Sequence, residues 1–285
     1  MVTLSMAQSI ENLVGSCELC NTFAKSNRKE SIIQHEIPPR AFEKVGCDVL
    51  ELHGKNYLVL IDYFSKWICC KYLPSKNSSS IISKWTEIFA DHGVPREIIA
   101  DNMPFNSSEC RSFANEWDIL IITSSPHYPQ SNGLAGKAVG IVKNMIKKTK
   151  NSDQLCVALM NYNNTPLGDL DLSPSQLAQN RRMRTKIVTK TESLEPRLNK
   201  NVEEKSKHKN LKAKFYYNKN VFPRGEFSVG DKVWLQLQNN TWKDGEIIAK
   251  CKQPRSYEIL LSNGSIFRRN SKFLRLNKFS NMINL

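Results

Sequence analysis

Two aspartates stand where acids are costly. Asp48 interrupts the apolar run Val45-Gly46-Cys47-Asp48-Val49-Leu50, and Asp101 directly follows Ile98-Ile99-Ala100. A carboxylate in such a place needs compensation, and a divalent cation is one form of it. The chemistry these residues offer is therefore metal binding. Taken singly, each also fits a solvated residue at a strand end or turn, and that reading stays open. A second pair, Cys17-Glu-Leu-Cys20, has the spacing of half a zinc site. A closed structural site takes four ligands. The nearest downstream histidine, His35, lies between Gln34 and Glu36 in a polar stretch and is a poor ligand candidate.

Charge is the next clue. Lys and Arg number 41 against 27 acids, a formal net charge of +14, and the sequence pI is about 9.4. That excess suits a polyanionic partner, of which nucleic acid is the commonest; a basic protein of another kind is the plainer alternative. With 40% hydrophobic and 24% charged residues, the composition excludes a mostly disordered chain, a collagen-like one and a membrane bundle. No apolar run approaches the ~20 residues that cross a bilayer, so no membrane partner is expected. Met1 to Met6 lacks the basic start and apolar stretch of a secretory leader. Eight cysteines, two of them adjacent at Cys69 and Cys70, do not read as a disulfide framework and point to a reducing, intracellular compartment.

The elements that must position the aspartates follow from periodicity. Ala7 to Val14 has helical spacing, and residues 21–44 read as an extended connector. Val45–Leu52, Tyr57–Tyr63 and Trp67–Leu73 are β-rich runs joined by the short turns His53-Gly54-Lys55 and Ser65-Lys66, which permit only an antiparallel meander. Ser78-Ser79-Ser80 is suited to cap a helix through Ala90. Glu97–Ala100 reads as a strand, Ser107–Trp117 as a helix, and Ile119–Ile122 as a strand buried on both faces. Helices are predicted over Leu134–Lys150 and Ser152–Tyr162. This order predicts an α/β fold, a mixed sheet with helices on its faces. A basic, partly helical linker covers 181–226, and short strands at Val233–Leu237, Trp242–Lys250, Ser256–Leu260 and Ser265–Arg269 predict a small C-terminal β-barrel at 227–278. Trp67, Trp85, Trp234 and Trp242 read as core anchors. The linker's lysines and arginines fit solvated helix faces and phosphate contacts equally well.

Gly46 to Lys66 closely resembles the opening of retroviral-type integrase cores, in particular those of gypsy-type retrotransposons. His127-Tyr128-Pro129-Gln130-Ser131-Asn132-Gly133 resembles the loop before that family's catalytic helix. Val229-Gly230-Asp231-Lys232-Val233-Trp234, Pro254-Arg255-Ser256-Tyr257-Glu258 and Arg268-Arg269-Asn270 resemble its C-terminal barrel. The resemblance spans nearly the whole chain. It implies a ribonuclease-H-like catalytic core over 37–180, preceded at 1–36 by a remnant of a zinc-binding domain and connector. It also implies a DNA partner, self-association, a nuclear location and metal-dependent DNA strand transfer. In that reaction Mg or Mn ions, held as a pair ~3.5–4 Å apart, activate a 3′ hydroxyl and stabilise the leaving oxygen. Asp48 and Asp101 match the family's first two metal-binding carboxylates. His127, Gln130, Asn132, Lys137, Lys143, Arg268 and Arg269 are the candidate DNA-binding residues, although His127 equally suits a role in shaping its turn.

The third carboxylate does not match. Where the family reads Ala-Glu-Arg, this chain reads Ala135-Gly136-Lys137, and 34 residues separate Asp101 from Gly136 where the family has 35. Asp101-Asn102-Met103-Pro104-Phe105 carries the deletion. Two carboxylates would face a pair of divalent ions with half the opposing charge, and neutral ligands do not make up the difference. Gly136 and Gly140 also weaken their helix by about 1 kcal/mol each relative to Ala. Glu109, the nearest downstream acid, reads as a residue of the 107–117 helix. The family's two zinc-binding histidines have no counterpart upstream of Cys17, so zinc is not expected. The expectation is an integrase-type protein impaired in catalysis, or a host-retained DNA- or chromatin-binding protein on the same scaffold.

Overall fold

A computed structural model describes residues 6, 9–10, 13–15, 17–28, 30–31, 33–124, 132–197, 202–219, 221 and 225–277. In chain order the elements are α1 (Glu18–Thr22), β1 (Lys44–Leu52), β2 (Lys55–Asp62), β3 (Ile68–Leu73), α2 (Ser78–His92), β4 (Glu97–Ala100), α3 (Ser108–Glu116) and β5 (Leu120–Thr123). They continue with α4 (Gly133–Lys148), α5 (Ser152–Asn164), α6 (Pro174–Gln179), α7 (Val202–Asn218), β6 (Lys232–Gln236), β7 (Trp242–Lys250), β8 (Ser256–Leu261), β9 (Ile266–Asn270) and β10 (Leu274–Leu276). Described residues of Ile33–Ser124 and Pro129–Tyr216 make one compact unit, and those of Met1–Ile32 and Tyr217–Leu285 make a second.

The larger unit holds a five-stranded sheet in the order β3-β2-β1-β4-β5. The first three strands form the predicted antiparallel meander, while β4 and β5 add in parallel. His53 and Gly54 both have positive φ (52° and 70°), the geometry a tight hairpin demands. The second turn is held by Asp62. This fully buried carboxylate accepts hydrogen bonds from the backbone N–H of Phe42 (2.9 Å), Phe64 (3.3 Å) and Ser65 (2.7 Å) and from the Ser65 hydroxyl (2.5 Å).

Alternation along the central strands splits the core in two. Val45, Cys47, Leu58, Leu60, Ile98 and Ala100 pack with Trp67, with Ile81, Trp85, Ile88 and Phe89 of α2, and with Cys110 and Ala114 of α3. Leu50, Val59, Ile61 and Ile68 face Ala135, Ala138 and Val142 of α4, with Leu155 and Leu159 of α5. Asn163 of α5 seals the outer edge of β3 by bonding both the N–H and the carbonyl of Ile68, each at 3.0 Å.

Three local readings are corrected. Asn77, not the serine run, caps α2 by accepting from Ser80 N, and the helix reaches His92. The strand read at Ile119–Ile122 is an edge strand at Leu120–Thr123, and Leu120 is 56% exposed. Its apolar run does not mean burial on both faces: among the described residues β5 pairs only with β4, and Leu120, Ile121 and Ile122 stay at least partly exposed. Asn180 ends an additional helix, α6, which opens on a capping box between Ser173 and Gln176.

The smaller unit is an antiparallel sheet in the order β10-β6-β7-β8-β9, consistent with a small β-barrel-like domain. Phe227, Val233, Leu235, Ile247, Tyr257, Ile259, Leu261 and Leu274 form its core. Trp242 is buried as predicted, whereas Trp234 is only half-buried. Part of the stretch read as a connector belongs to this unit. Ala24 O accepts from Trp242 Nε1 (2.8 Å), Asn27 Nδ2 donates to the carbonyls of Lys272 and Leu274, and Arg255 grips Ser31 through its carbonyl and hydroxyl. Glu30, 5% exposed, accepts from Ser271 Oγ and lies 3.5 Å from Arg255.

Candidate active site

Strand register builds the site. The parallel pair β1/β4 places Cys47 opposite Ala100, so the next residues, Asp48 and Asp101, stand side by side. Likewise β4/β5 pairs Ala100 with Thr123, which sets Ser124 beside Asp101. The Ser124 hydroxyl donates to Asp101 Oδ1 at 2.8 Å. Asp48 accepts from the N–H of Val49 at 2.7 Å. Since Cys47 points into the α2/α3 core and Leu50 into the α4/α5 core, alternation turns Asp48 toward the α4 side.

Close contact fixes α4 against this face. A Cβ added to Gly46 would lie 3.4 Å from Ala135 Cβ and 3.3 Å from Ile61 and Tyr63, tight contacts that the glycine avoids as the helix packs close. Asn132, at the helix N-cap, is buried and donates from Nδ2 to Cys47 O at 3.0 Å. Its Oδ1 has no hydrogen-bond partner among the described residues. Gly136 follows Ala135 and is exposed; a Cβ there would meet nothing within 4 Å, and its φ is not positive. The position has room for a side chain and lacks one.

Burial raises the Asp48 carboxyl above the ordinary range, and the charge of Asp101 adds to this against the Val49 N–H. A raised folded-state pKa penalises the charged form, so this group's cost is full at neutral pH and vanishes below the unfolded value near 3.9. Asp48→Asn is accordingly expected to stabilise the protein against urea at pH 7 and to leave it unchanged near pH 3. Equal effects at both pH values would contradict this assignment.

Among the described residues, no group of three or more His, Cys, Asp or Glu side chains is placed to hold a metal. Asp48 and Asp101 oppose a single divalent charge but not a pair, so the residues present do not fit the two-ion arrangement. Glu109 is bound elsewhere, accepting from Ser108 at the start of α3 and from Ser78 at the start of α2. Cys17 and Cys20 lie at the N-cap and in α1 as free thiols. His35 stands edge-on to Tyr63, ring centroids 5.1 Å apart. These residues do not fit a four-ligand zinc site.

Lys137 and Lys143 are exposed on α4. On β9 of the smaller unit Arg268 is half-buried and faces Glu258 across the ladder. Arg269 is 8% exposed and lies over the Phe267 ring, where burial lowers its pKa. His127 and Gln130 lie outside the described residues. Ser124 was not singled out from sequence; only the β4/β5 register reveals it as a partner of Asp101.

No family model matches the chain. An uncharacterized protein of Caenorhabditis elegans is 29% identical over 260 residues, covering 85% of this chain and 20% of that protein. The transposon Tf2-3 polyprotein of Schizosaccharomyces pombe is 24% identical over 257 residues, covering 80% and 19%. The chain thus spans about a fifth of the length of these relatives. Among solved structures, a chain of the simian T-cell lymphotropic virus intasome, in complex with PP2A regulatory subunit B56 gamma, aligns with TM-score 0.65 and 18% identity, covering 94% of this chain and 90% of that one. The mixed sheet, its flanking helices and the second, antiparallel sheet agree with that fold. The chain is thus similar in sequence to retrotransposon polyproteins and has the ribonuclease-H-like fold of an integrase core.

Proposed function

We propose that this is a DNA-binding protein of the integrase class, of retrotransposon origin, whose strand-transfer chemistry is impaired. The observation that carries the reading is the Asp48–Asp101 pair beside α4, with Gly136 where a third carboxylate would complete the charge. The net charge of +14 supports a DNA partner. Such a partner would place the protein in the nucleus, and association of several copies on DNA belongs to the same reading.

The test is a strand-transfer assay on duplex DNA with Mg²⁺ or Mn²⁺, comparing the unmodified chain with Gly136→Glu. The unmodified chain is expected to give no product above background. The Glu variant, with its negative charge restored on a helix that has room for it, is expected to gain activity only in part, because the spacing from Asp101 remains one residue short. Robust transfer by the unmodified chain would overturn the reading. The missing carboxylate equally favours a host-retained DNA- or chromatin-binding role without catalysis. Flanking reverse-transcriptase sequence and terminal repeats would argue for the element, an isolated reading frame for the host.

A further inference from the structure

The smaller unit buries a guanidinium that no acid neutralises. Arg269 of β9 is 8% exposed, and its Cζ lies 5.1 Å from the centroid of the Phe267 ring. Among the described residues its side chain makes a single hydrogen bond, from Nη1 to Arg268 O at 3.0 Å, and no ion pair. A guanidinium carries several more N–H donors than that bond uses. Burial lowers its pKa, and no neighbouring acid opposes the shift. With one face turned to an aromatic ring, the group can bond further only through its edge, where the paired N–H groups of the fork lie.

A cavity of about 370 Å³ lies beside it. Arg269 and Lys272 give this space its charge, Leu237 and Phe273 an apolar wall, and Gln236 and Asn240 further polar groups; no Asp or Glu lines it. Other cavities of the same unit differ in this respect, since Glu30 and Glu226 line one and Asp244 and Glu246 another. The Lys272 ammonium stands 5.9 Å from the Phe273 ring centroid and has no acid partner among the described residues. Gln236, 5% exposed, is tied through Nε2 to Ser26 Oγ at 2.6 Å, which fixes one wall. Two cations and a half-buried apolar wall thus surround one small space.

We propose that this cavity binds a glutamate side chain of a partner peptide, its carboxylate held by the Arg269 fork and Lys272 and its methylene stem lying against Leu237 and Phe273. A carboxylate matches the fork in one plane and brings the single negative charge that neutralises a buried guanidinium. A phosphate of duplex DNA fits worse. Sugars flank it on both sides and keep it out of a narrow concavity, whereas Arg269 is nine-tenths buried; the apolar wall would also gain nothing from it.

NMR titration of the ¹⁵N-labelled full chain with acetyl-Ala-Glu-Ala-amide tests the site. The arginine Nε–H signal that is missing from Arg269→Lys is expected to shift and saturate, and the glutamine tripeptide should leave it in place. Affinities are read from the backbone amides of Leu237 and Phe273, present in every variant. Arg269→Gln is expected to weaken binding about 10- to 100-fold. Arg269→Lys, which keeps the charge and loses the fork, should weaken it about 5-fold. Lys272→Gln, at a half-buried position, should cost about 2- to 5-fold, and it keeps the claim testable if melting curves show the Arg269 variants unfolded. No saturable shift, or equal shifts with the glutamine tripeptide, would overturn the site. So would a short DNA duplex that moves the Arg269 signal when the glutamate tripeptide does not, since the arginine would then serve phosphate. A duplex that binds without moving that signal supports the assignment, DNA being held elsewhere.

Discussion

Trp85→Ala is expected to destabilise the larger unit by about 3–5 kcal/mol, the cost of emptying a large aromatic side chain from a packed core. Trp85 is fully buried on α2 and stacks near Phe89, Phe105 and Phe113, at centroid distances of 6.5, 5.8 and 6.1 Å. Its indole N–H points at Cys47 Sγ, 3.4 Å away on β1, the strand that carries Asp48. Three rings lose their shared neighbour, and rigid aromatic planes do not close the gap. The corresponding drop in melting temperature is roughly 6–20 °C for a unit of this size. Trp85→Phe keeps most of the stacking and should cost about a third as much. Calorimetry is the measurement that checks both variants. A Trp85→Ala loss below about 1 kcal/mol would show that the ring cluster is not what holds α2 to the sheet.

Asp62→Ala is expected to cost a similar amount, about 3–5 kcal/mol, for a different reason. The fully buried carboxylate satisfies three backbone N–H groups, two of them buried, and one buried hydroxyl. Burial raises its pKa above the ordinary range, against the pull of these donors. Removing it strands all four at once. Asp62→Asn retains one acceptor oxygen but turns an amide N–H₂ toward the Ser65 donors, so an intermediate loss is expected. Urea unfolding followed by tryptophan fluorescence checks both variants. If Asp62→Ala were as stable as Asp62→Asn, the donors would have found other partners and the carboxylate would not be the turn's organising group.

The sheet was legible because its strands carry strong signals. Apolar, β-rich runs joined by short turns specify the meander, and β-branched runs separated by capped helices specify the parallel additions. Asp48 and Asp101 were visible as acids against an apolar background. Their adjacency was implied by resemblance and needed the register Cys47–Ala100 to become geometric. What escaped the sequence was polar and long-range. Asp62 looks like any strand-ending acid until four donors are found around it. Ser124 lies in a turn-rich stretch and has no pattern of its own. The exposed side of β5 depends on what fails to pair with it, which a local apolar run does not encode. Ala24–Ser31 carries no apolar periodicity because the sheet holds it largely through its carbonyls and short polar side chains.

That last segment constrains the order in which the chain acquires its structure. Asn27 bonds to Lys272 and Leu274, partners 245 and 247 residues later in sequence, so during synthesis it waits for both until all the intervening residues have been made. The meander and its helices, all lying between, have their partners available much earlier and are free to fold as an insertion within a still unfinished module. Closing so large a loop costs little more entropy than closing one half its length, about 0.6 kcal/mol per doubling, so the delay is one of waiting rather than of final stability. The smaller unit is in this sense discontinuous in sequence, completed only once its later segment has been made, when the strands and helices encoded between have long had their own partners.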